Sequence, residues 1–282
     1  MGLDQFYTKP EIVESIITMV DFSKFDYIIE PSAGAGDFFI HLPEEKRIGV
    51  DLEPGLPEMI KSDFFGFANT FMKMSSIMGR QGKVMTIGNP PFGKNSSLAV
   101  KFFNRAAEYS ECIAFIVPRT FRKPSVINRL HSKFHLSEQV ILPVKAFYLP
   151  EGGDYSVPTV FQIWNKQEED REKIETTITH PDFDFVSISA KPSDEDKQKQ
   201  RDESDFCVRR VGGAAGQVYE ANGEKYRDWK SHYYIKQNVP GVRETLEGID
   251  WDYLESPKYD TAGNPSVSKN DLVNYYIINK EN

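Results

Sequence analysis

The residues of this 282-residue chain best placed to do chemistry form one short run, Gly88-Asn89-Pro90-Pro91-Phe92-Gly93. Two consecutive prolines restrict the backbone and supply no N–H donors, while their carbonyls remain as acceptors. Asn89 adds a side-chain oxygen and an amide group. Such a rigid loop can hold a substrate amino group between two oxygens and orient the nitrogen lone pair toward an incoming group. Phe92 can stack on a ring that carries the amine. The run follows KVMTIG at 83–88, which reads as a strand. Ligand sites in parallel sheets lie beyond the carboxyl ends of strands.

A second constellation is EPSAGAGDF, Glu30 to Phe38, between a predicted strand and a predicted helix. Small residues let the backbone approach a bound molecule closely, and a helix start presents free N–H groups. A tight turn needs glycine for structural reasons too, and both readings stay open at this point. The run is not the dinucleotide fingerprint, since Phe39 stands where a third glycine is needed. Asp51 ends the next strand about 20 residues on, where a carboxylate can take both ribose hydroxyls of an adenosine. In KSDFF, Asp63 can accept from an adenine amino group while Phe64 covers the ring face. A helix-capping Asp beside a core Phe explains that pair equally well.

The elements that must position these residues alternate. Residues 8–20 read as a helix, with Thr8 as cap, Pro10 in the first turn and Glu11 completing a capping box. Residues 26–30, 47–51, 83–88 and 112–117 read as short apolar strands. A helical run is expected through Phe39 and Leu42, and another over 96–110. This alternation predicts a parallel sheet covered on both faces. Leu136 to Val144 and Val157 to Trp164 then read as an antiparallel hairpin around YLPEGGDYS.

Taken in order, the motifs resemble those of S-adenosylmethionine-dependent amino-methyltransferases of the class I fold, and most closely the gamma-type N6-adenine DNA methyltransferases. EPSAGAGDF precedes the Asn-Pro-Pro-Phe motif, GVDLEP at 49–54 and KSDFF at 61–65 lie between them, and IAFIVP at 113–118 follows. DQFYTKP at 4–10 resembles the segment that packs over the methionine part of the cofactor in that family. The likeness spans about residues 4–164. It implies a Rossmann-like α/β sheet with a late antiparallel hairpin, S-adenosylmethionine as cofactor, and no metal. It also implies that Tyr7, Thr8, Glu30, Gly34, Gly36, Asp51, Asp63 and Phe64 bind cofactor. Asn89 and Pro90, with Pro91, would hold the adenine amino group, and Phe92 would stack on a base flipped out of its helix. A second wall is expected from the late hairpin, with Tyr155 as first candidate and Phe147 as second.

The formal net charge of −8 is unfavourable for gripping nucleic acid by charge alone. It is unevenly spread. Residues 1–165 carry 17 basic and 18 acidic side chains, and residues 166–282 carry 17 and 24. RTFRKPSVINRLHSKFH at 119–135 holds Arg119, Arg122, Lys123, Arg129 and Lys133 and no carboxylate, so it is the expected phosphate track. Arg209 and Arg210 are a lesser candidate. DNA is the expected substrate, on the strength of the DQFYTKP opening. RNA, a protein glutamine, and a catalytically silent partner subunit are the alternatives.

The expected organisation is a catalytic domain over 1–165, a charged linker or solvated helix over 166–205, and a small α+β subdomain over 206–282. That last part would recognise the target or dock a protein partner through its acidic surface. Nothing approaches the ~20 apolar residues of a membrane span. The opening residues lack a secretory pattern, and Cys112 and Cys207 have no metal-ligand spacing. A soluble, cytoplasmic protein with two reduced thiols is expected.

Overall fold

Apolar runs too uniform to show one wet face set the centre of the first of two units. In the computed structural model, which describes residues 6–79, 82–223, 228–261 and 263–281, the chain divides between Ile174 and Glu175. Asp4 and Gln5 of the DQFYTKP opening lie outside the described residues. The first unit contains strands β1 (Tyr7–Thr8), β2 (Tyr27–Pro31), β3 (Arg47–Asp51), β4 (Ile60–Lys61), β5 (Val84–Gly88) and β6 (Cys112–Pro118). It continues with β7 (Phe134–Ile141), β8 (Phe147–Tyr148), β9 (Asp154–Tyr155) and β10 (Thr159–Lys166). Its helices are α1 (Pro10–Ile17), α2 (Phe64–Met78), α3 (Ser97–Ala106) and the single turn α4 (Pro124–Ile127).

Seven strands form one sheet in the order β4-β3-β2-β5-β6-β10-β7. The first five run parallel, and β10 inserts antiparallel between β6 and β7. Every residue of β5 and β6 is buried, as both-face coverage requires. This is a Rossmann-like α/β sheet with a late antiparallel hairpin. From β2 the chain winds out to β3 and β4, then returns to place β5 on the other side of β2. That reversal opens a crevice beyond the carboxyl ends of β2 and β5. The Gly-rich loop leaves β2 there, and the Asn-Pro-Pro-Phe loop leaves β5 there.

Several local expectations are corrected. Thr8 does not cap α1. It is drawn into β1, opposite Phe147 of β8, and the N-cap is Lys9, whose N–H donates to the Ala146 carbonyl. No long helix follows the Gly-rich loop: only a 3₁₀ turn over Phe39–His41 forms. Leu42 is extended, as a residue before proline must be, and Pro43 ends the turn. Helix α3 is shorter than 96–110: left-handed Asn95 and Ser96 delay its start to Ser97, and it ends at Ala106. The 15-residue α2 was not foreseen; the Asp63 side chain caps it by accepting from the Gly66 N–H, and left-handed Gly79 closes it.

The domain boundary also falls elsewhere than residue 165. The Arg171 guanidinium donates to the carbonyls of Phe134, Ile127 and Leu130 and lies over the Trp164 ring, which ties residues up to 174 to the first unit. The second unit holds β11 (Phe183–Phe185), β12 (Phe206–Arg209), β13 (Val218–Glu220) and β14 (His232–Gln237), with α5 (Asp194–Asp202), α6 (Val242–Glu247) and α7 (Lys269–Lys280). Its antiparallel sheet has the order β11-β14-β12-β13. Phe183, Phe206, Ile235, Leu246, Leu272 and Tyr276 fill its core. The stretch read as a linker therefore contributes an edge strand, β11, and a solvated helix, α5, opened by a Ser193–Asp196 capping box. No described helix is long and apolar enough to cross a membrane.

Candidate functional site

A cleft of about 630 Å³ opens at the carboxyl ends of β2, β3 and β5. The Gly-rich loop forms its floor. Gly34 has φ +53°, and a Cβ there would lie 2.8 Å from the Tyr7 ring, so a side chain is excluded on both counts. The Gly34 N–H donates to Asp51 Oδ2 at 2.8 Å, and Asp51 Oδ1 accepts from the Glu53 N–H at 2.8 Å. Asp51 thus braces the loop and still offers lone pairs to the cleft. Gly36 does not line it. A Cβ there would strike Leu56 and Met59, so this glycine serves packing.

Negative charge gathers along one side. Glu30 is 2% exposed, and burial holds its carboxyl well above the usual carboxylate range, with the charges of Asp37 and Asp51 pushing the same way. Burial also raises Asp37, although the Tyr148 hydroxyl donates to it at 2.8 Å and offsets part of the rise. The Tyr148 phenol is itself pushed up to about 12, by burial first and then by Asp37. Burial raises Tyr7 as well, helped by Asp51, Asp37 and Glu53. Among the described residues no three metal-ligating side chains converge on one point. Asp37, Asp51 and Glu53 all line this side of the cleft, so its field favours a cationic ligand.

Three buried polar atoms in this region lack a hydrogen-bond partner: Thr8 Oγ1, Glu30 Oε2 and Asn89 Oδ1. All three residues line the cleft. Orphaned buried polar atoms are uncommon and costly, and three around one cavity mark a place built for a ligand with matching groups. Asn89 Oδ1 calls for a donor, and so does the Glu30 carboxylate when ionised.

An apolar pocket continues from the carboxylates. Phe64 and Phe102 stack at 4.9 Å, and Leu52, which is 50% exposed, lines the same cleft with Asp63 and Phe65. Asp63 caps α2 and Phe64 is core, and both also line the cleft.

The structure brings Tyr7, Thr8, Glu30, Gly34, Asp51, Asp63, Phe64, Asn89, Pro90 and Pro91 around this one cleft. Phe92 is not on its lining: it is 8% exposed and packs edge-on against Phe6 at 5.2 Å. Phe147 is corrected as a wall, because it is fully buried and meets the Phe6 ring at 5.0 Å. Tyr155 is 36% exposed and stacks on Phe6 at 4.8 Å. Phe6 is the aromatic that sequence reading passed over. It lines the cleft, and β1 carries it there by pairing with β8. Asp37, Glu53 and Tyr148 were also missed. Asp37 lay in plain view within EPSAGAGDF, whereas Tyr148 reaches it only through strand pairing.

The basic stretch is less open than expected. Arg119 is 5% exposed: it opens the turn directly after β6, with its N–H on the Pro158 carbonyl, so it is corrected as a phosphate contact. Arg122 and Lys123 are part-buried and do not line the cleft. The segment does adjoin the turn that follows the Asn-Pro-Pro-Phe loop: Thr120 Oγ1 and Ser96 Oγ are 2.6 Å apart. Cys112 and Cys207 are buried, and neither is in a disulfide among the described residues.

No family model and no curated protein matches the chain. Solved structures similar to it include a protein provisionally described as the modification subunit of a type I restriction enzyme, from Vibrio vulnificus. That likeness has 13% identity, a TM-score of 0.43, and covers 86% of this chain and 61% of that one. A protein provisionally described as an RNA methyltransferase, from Pyrococcus horikoshii, is similar at 15% identity and TM-score 0.39 over 58% of this chain and 88% of that one. The magnesium protoporphyrin IX methyltransferase of Synechocystis, with S-adenosylmethionine bound, is similar at 10% identity and TM-score 0.38 over 56% and 79%. Likenesses this distant leave the reaction to the site's own residues.

Proposed function

We propose that the chain is an S-adenosylmethionine-dependent methyltransferase acting on the N6 amino group of adenine in a nucleic acid, with DNA as the first substrate to test. The observation that carries this reading is the buried, partnerless Oδ1 of Asn89, a residue that lines the cleft together with Pro90 and with Glu30, whose Oε2 is likewise partnerless. The residues present fit the cofactor. Glu30, Asp37 and Thr8 would face its charged methionine end, Asp51 its ribose, and Asp63, Phe64 and Leu52 its adenine. Bound there, the cofactor supplies a methyl group already activated on a sulfonium.

The protein's share is then orientation and charge. Asn89 Oδ1 and the Pro90 carbonyl each accept one N–H of the substrate amine. Held by two acceptors, the nitrogen presents its lone pair to the cofactor side, and motion out of line is suppressed. As positive charge grows on nitrogen, the same two oxygens stabilise it. No strong base is required, and the proton can leave to solvent afterwards. Phe6, with Tyr155 stacked on it, offers the aromatic surface for the base.

Labelled S-adenosylmethionine offered with double-stranded DNA, single-stranded DNA and structured RNA tests the reading, with Asn89→Ala as control. Methylated adenine in a digested polymer, absent in the control, is the expected result. Cofactor binding without transfer to any polymer would sink the reading and favour a protein substrate or a missing partner.

A further inference from the structure

We propose that the second unit carries a phosphate-binding site for a nucleic-acid strand, formed by Arg210 and Lys269 on the paired rings of Phe185 and Tyr233. The choice of a nucleic acid as ligand rests on the reading of the cleft given above; the site itself rests on separate observations.

Phe185 ends β11 and Tyr233 lies near the start of β14, with ring centroids 5.5 Å apart at 69°. Arg210 follows β12 directly; its N–H donates to Ser231 and its carbonyl accepts from Val267, which fixes its backbone. Its guanidinium sits 5.1 Å from the Tyr233 centroid. Lys269 opens α7, with Nζ 4.4 Å from the Phe185 centroid and 6.0 Å from that of Tyr233. Two cations therefore share one aromatic platform.

Neither has a carboxylate partner among the described residues, and Arg210 Nε is buried without a hydrogen bond. The contrast with the rest of the unit is instructive. Residues 175–282 hold 14 basic and 20 acidic side chains, so anionic partners abound. Other cations there use them: Lys258 pairs with Asp252, Arg243 with Glu220 and Glu247, and Lys280 with Asp182. Asp271, on the first turn of α7, is committed through Oδ2 to the Ser268 N–H. Burial and the neighbouring Arg210 charge both push the Lys269 ammonium down, which shows how little compensates the pair.

Holding two like charges together in part-buried surroundings costs free energy unless an anion joins them. A guanidinium fork matches phosphate oxygens two at a time, and an ammonium adds a point charge beside it. Aromatic rings interleaved with cations are the usual platform for single strands. A polymer bound here would feel this positive spot within an otherwise repelling unit, so contact would be local.

The test is binding of fluorescent single-stranded and duplex oligonucleotides to the full chain across a salt series. Arg210→Gln with Lys269→Gln keeps the first two methylenes of each side chain and removes both charges. Loss of two phosphate contacts should weaken binding at least tenfold and flatten the slope of log K against log salt by about 1.4 for single strands or 1.8 for duplex. Arg210→Lys should retain the slope. Should the double variant unfold, Lys269→Gln alone reads the same effect at half the size. A slope unchanged in either variant overturns the site, as does failure of the wild type to bind, or displacement by polyglutamate but not by oligonucleotide. Flattened slope without methylation of any polymer supports this site while sinking the cleft reading; intact slope with methylation does the reverse.

Discussion

Asn89→Ala should make the protein more stable and nearly inactive at once. The Asn89 side-chain oxygen is buried and has no donor. A buried acceptor left unsatisfied costs about 1–3 kcal/mol, and alanine removes the acceptor while leaving a small void that returns part of the gain. A net stabilisation of about 1 kcal/mol is expected, or a rise of about 2–4 °C in Tm for a unit of this size. Turnover should move the other way. Removing one positioned polar group aimed at developing charge lowers kcat by about 10²–10³. Cofactor affinity should stay put, because Asn89 would face the substrate. Calorimetry with and without S-adenosylmethionine, and single-turnover methyl transfer, give all three quantities. A lower Tm with undiminished turnover would refute the reasoning, since Asn89 would then be holding the loop instead of waiting for an amine.

Further outcomes follow from other parts of the structure. Glu30 carries a carboxyl whose folded-state pKa is raised, so its stabilising protonated form is fully present below the unfolded value near ~4.3 and is lost as pH rises toward the folded value. Glu30→Gln should therefore match wild-type stability in acid and exceed it by a margin that grows through that window and levels off above it, while weakening cofactor binding; urea melts at several pH values, with and without S-adenosylmethionine, check both. Gly34→Ala forces a left-handed residue against Tyr7 and should cost about 1–2 kcal/mol in denaturant unfolding. Unchanged stability would mean that the loop relaxes freely. Arg171→Met keeps the contact with Trp164 but strips donors from three carbonyls, and should lower stability by about 1–3 kcal/mol. Proteolysis after residue 166, faster than in the wild type, would report release of that segment.

What the sequence discloses here follows from locality. Strands β5 and β6 are legible because a parallel strand covered on both faces is apolar throughout, and the loops that leave β2 and β5 carry their chemistry in consecutive residues. Glu30, Gly34, Asp51 and Asn89 are found that way. Phe6 and Tyr148 are not, since the pairing of β1 with β8, two strands of two residues with no periodicity to read, brings Phe6 to the cleft and Tyr148 to Asp37 on its lining. Arg119 misleads for a related reason: a cation after an apolar run looks exposed until β10 is seen to cover the end of β6. β11 escapes because three residues, Phe183–Phe185, make too short an alternation to stand out beside the charges of α5.

The pairing of β1 with β8 also sets an order of events. Tyr7 and Thr8 are among the first described residues of the chain, yet the strand that fastens them comes only after the parallel part of the sheet has been made. Contacts between distant parts of a chain form late, because the intervening loop must be closed first. During synthesis the Gly-rich loop and the Asn89 loop would thus exist as an open ledge, with one wall still missing. Ligand capture that needs Thr8 then becomes a readout of assembly: a chain able to retain its ligand is one whose first unit has closed from end to end.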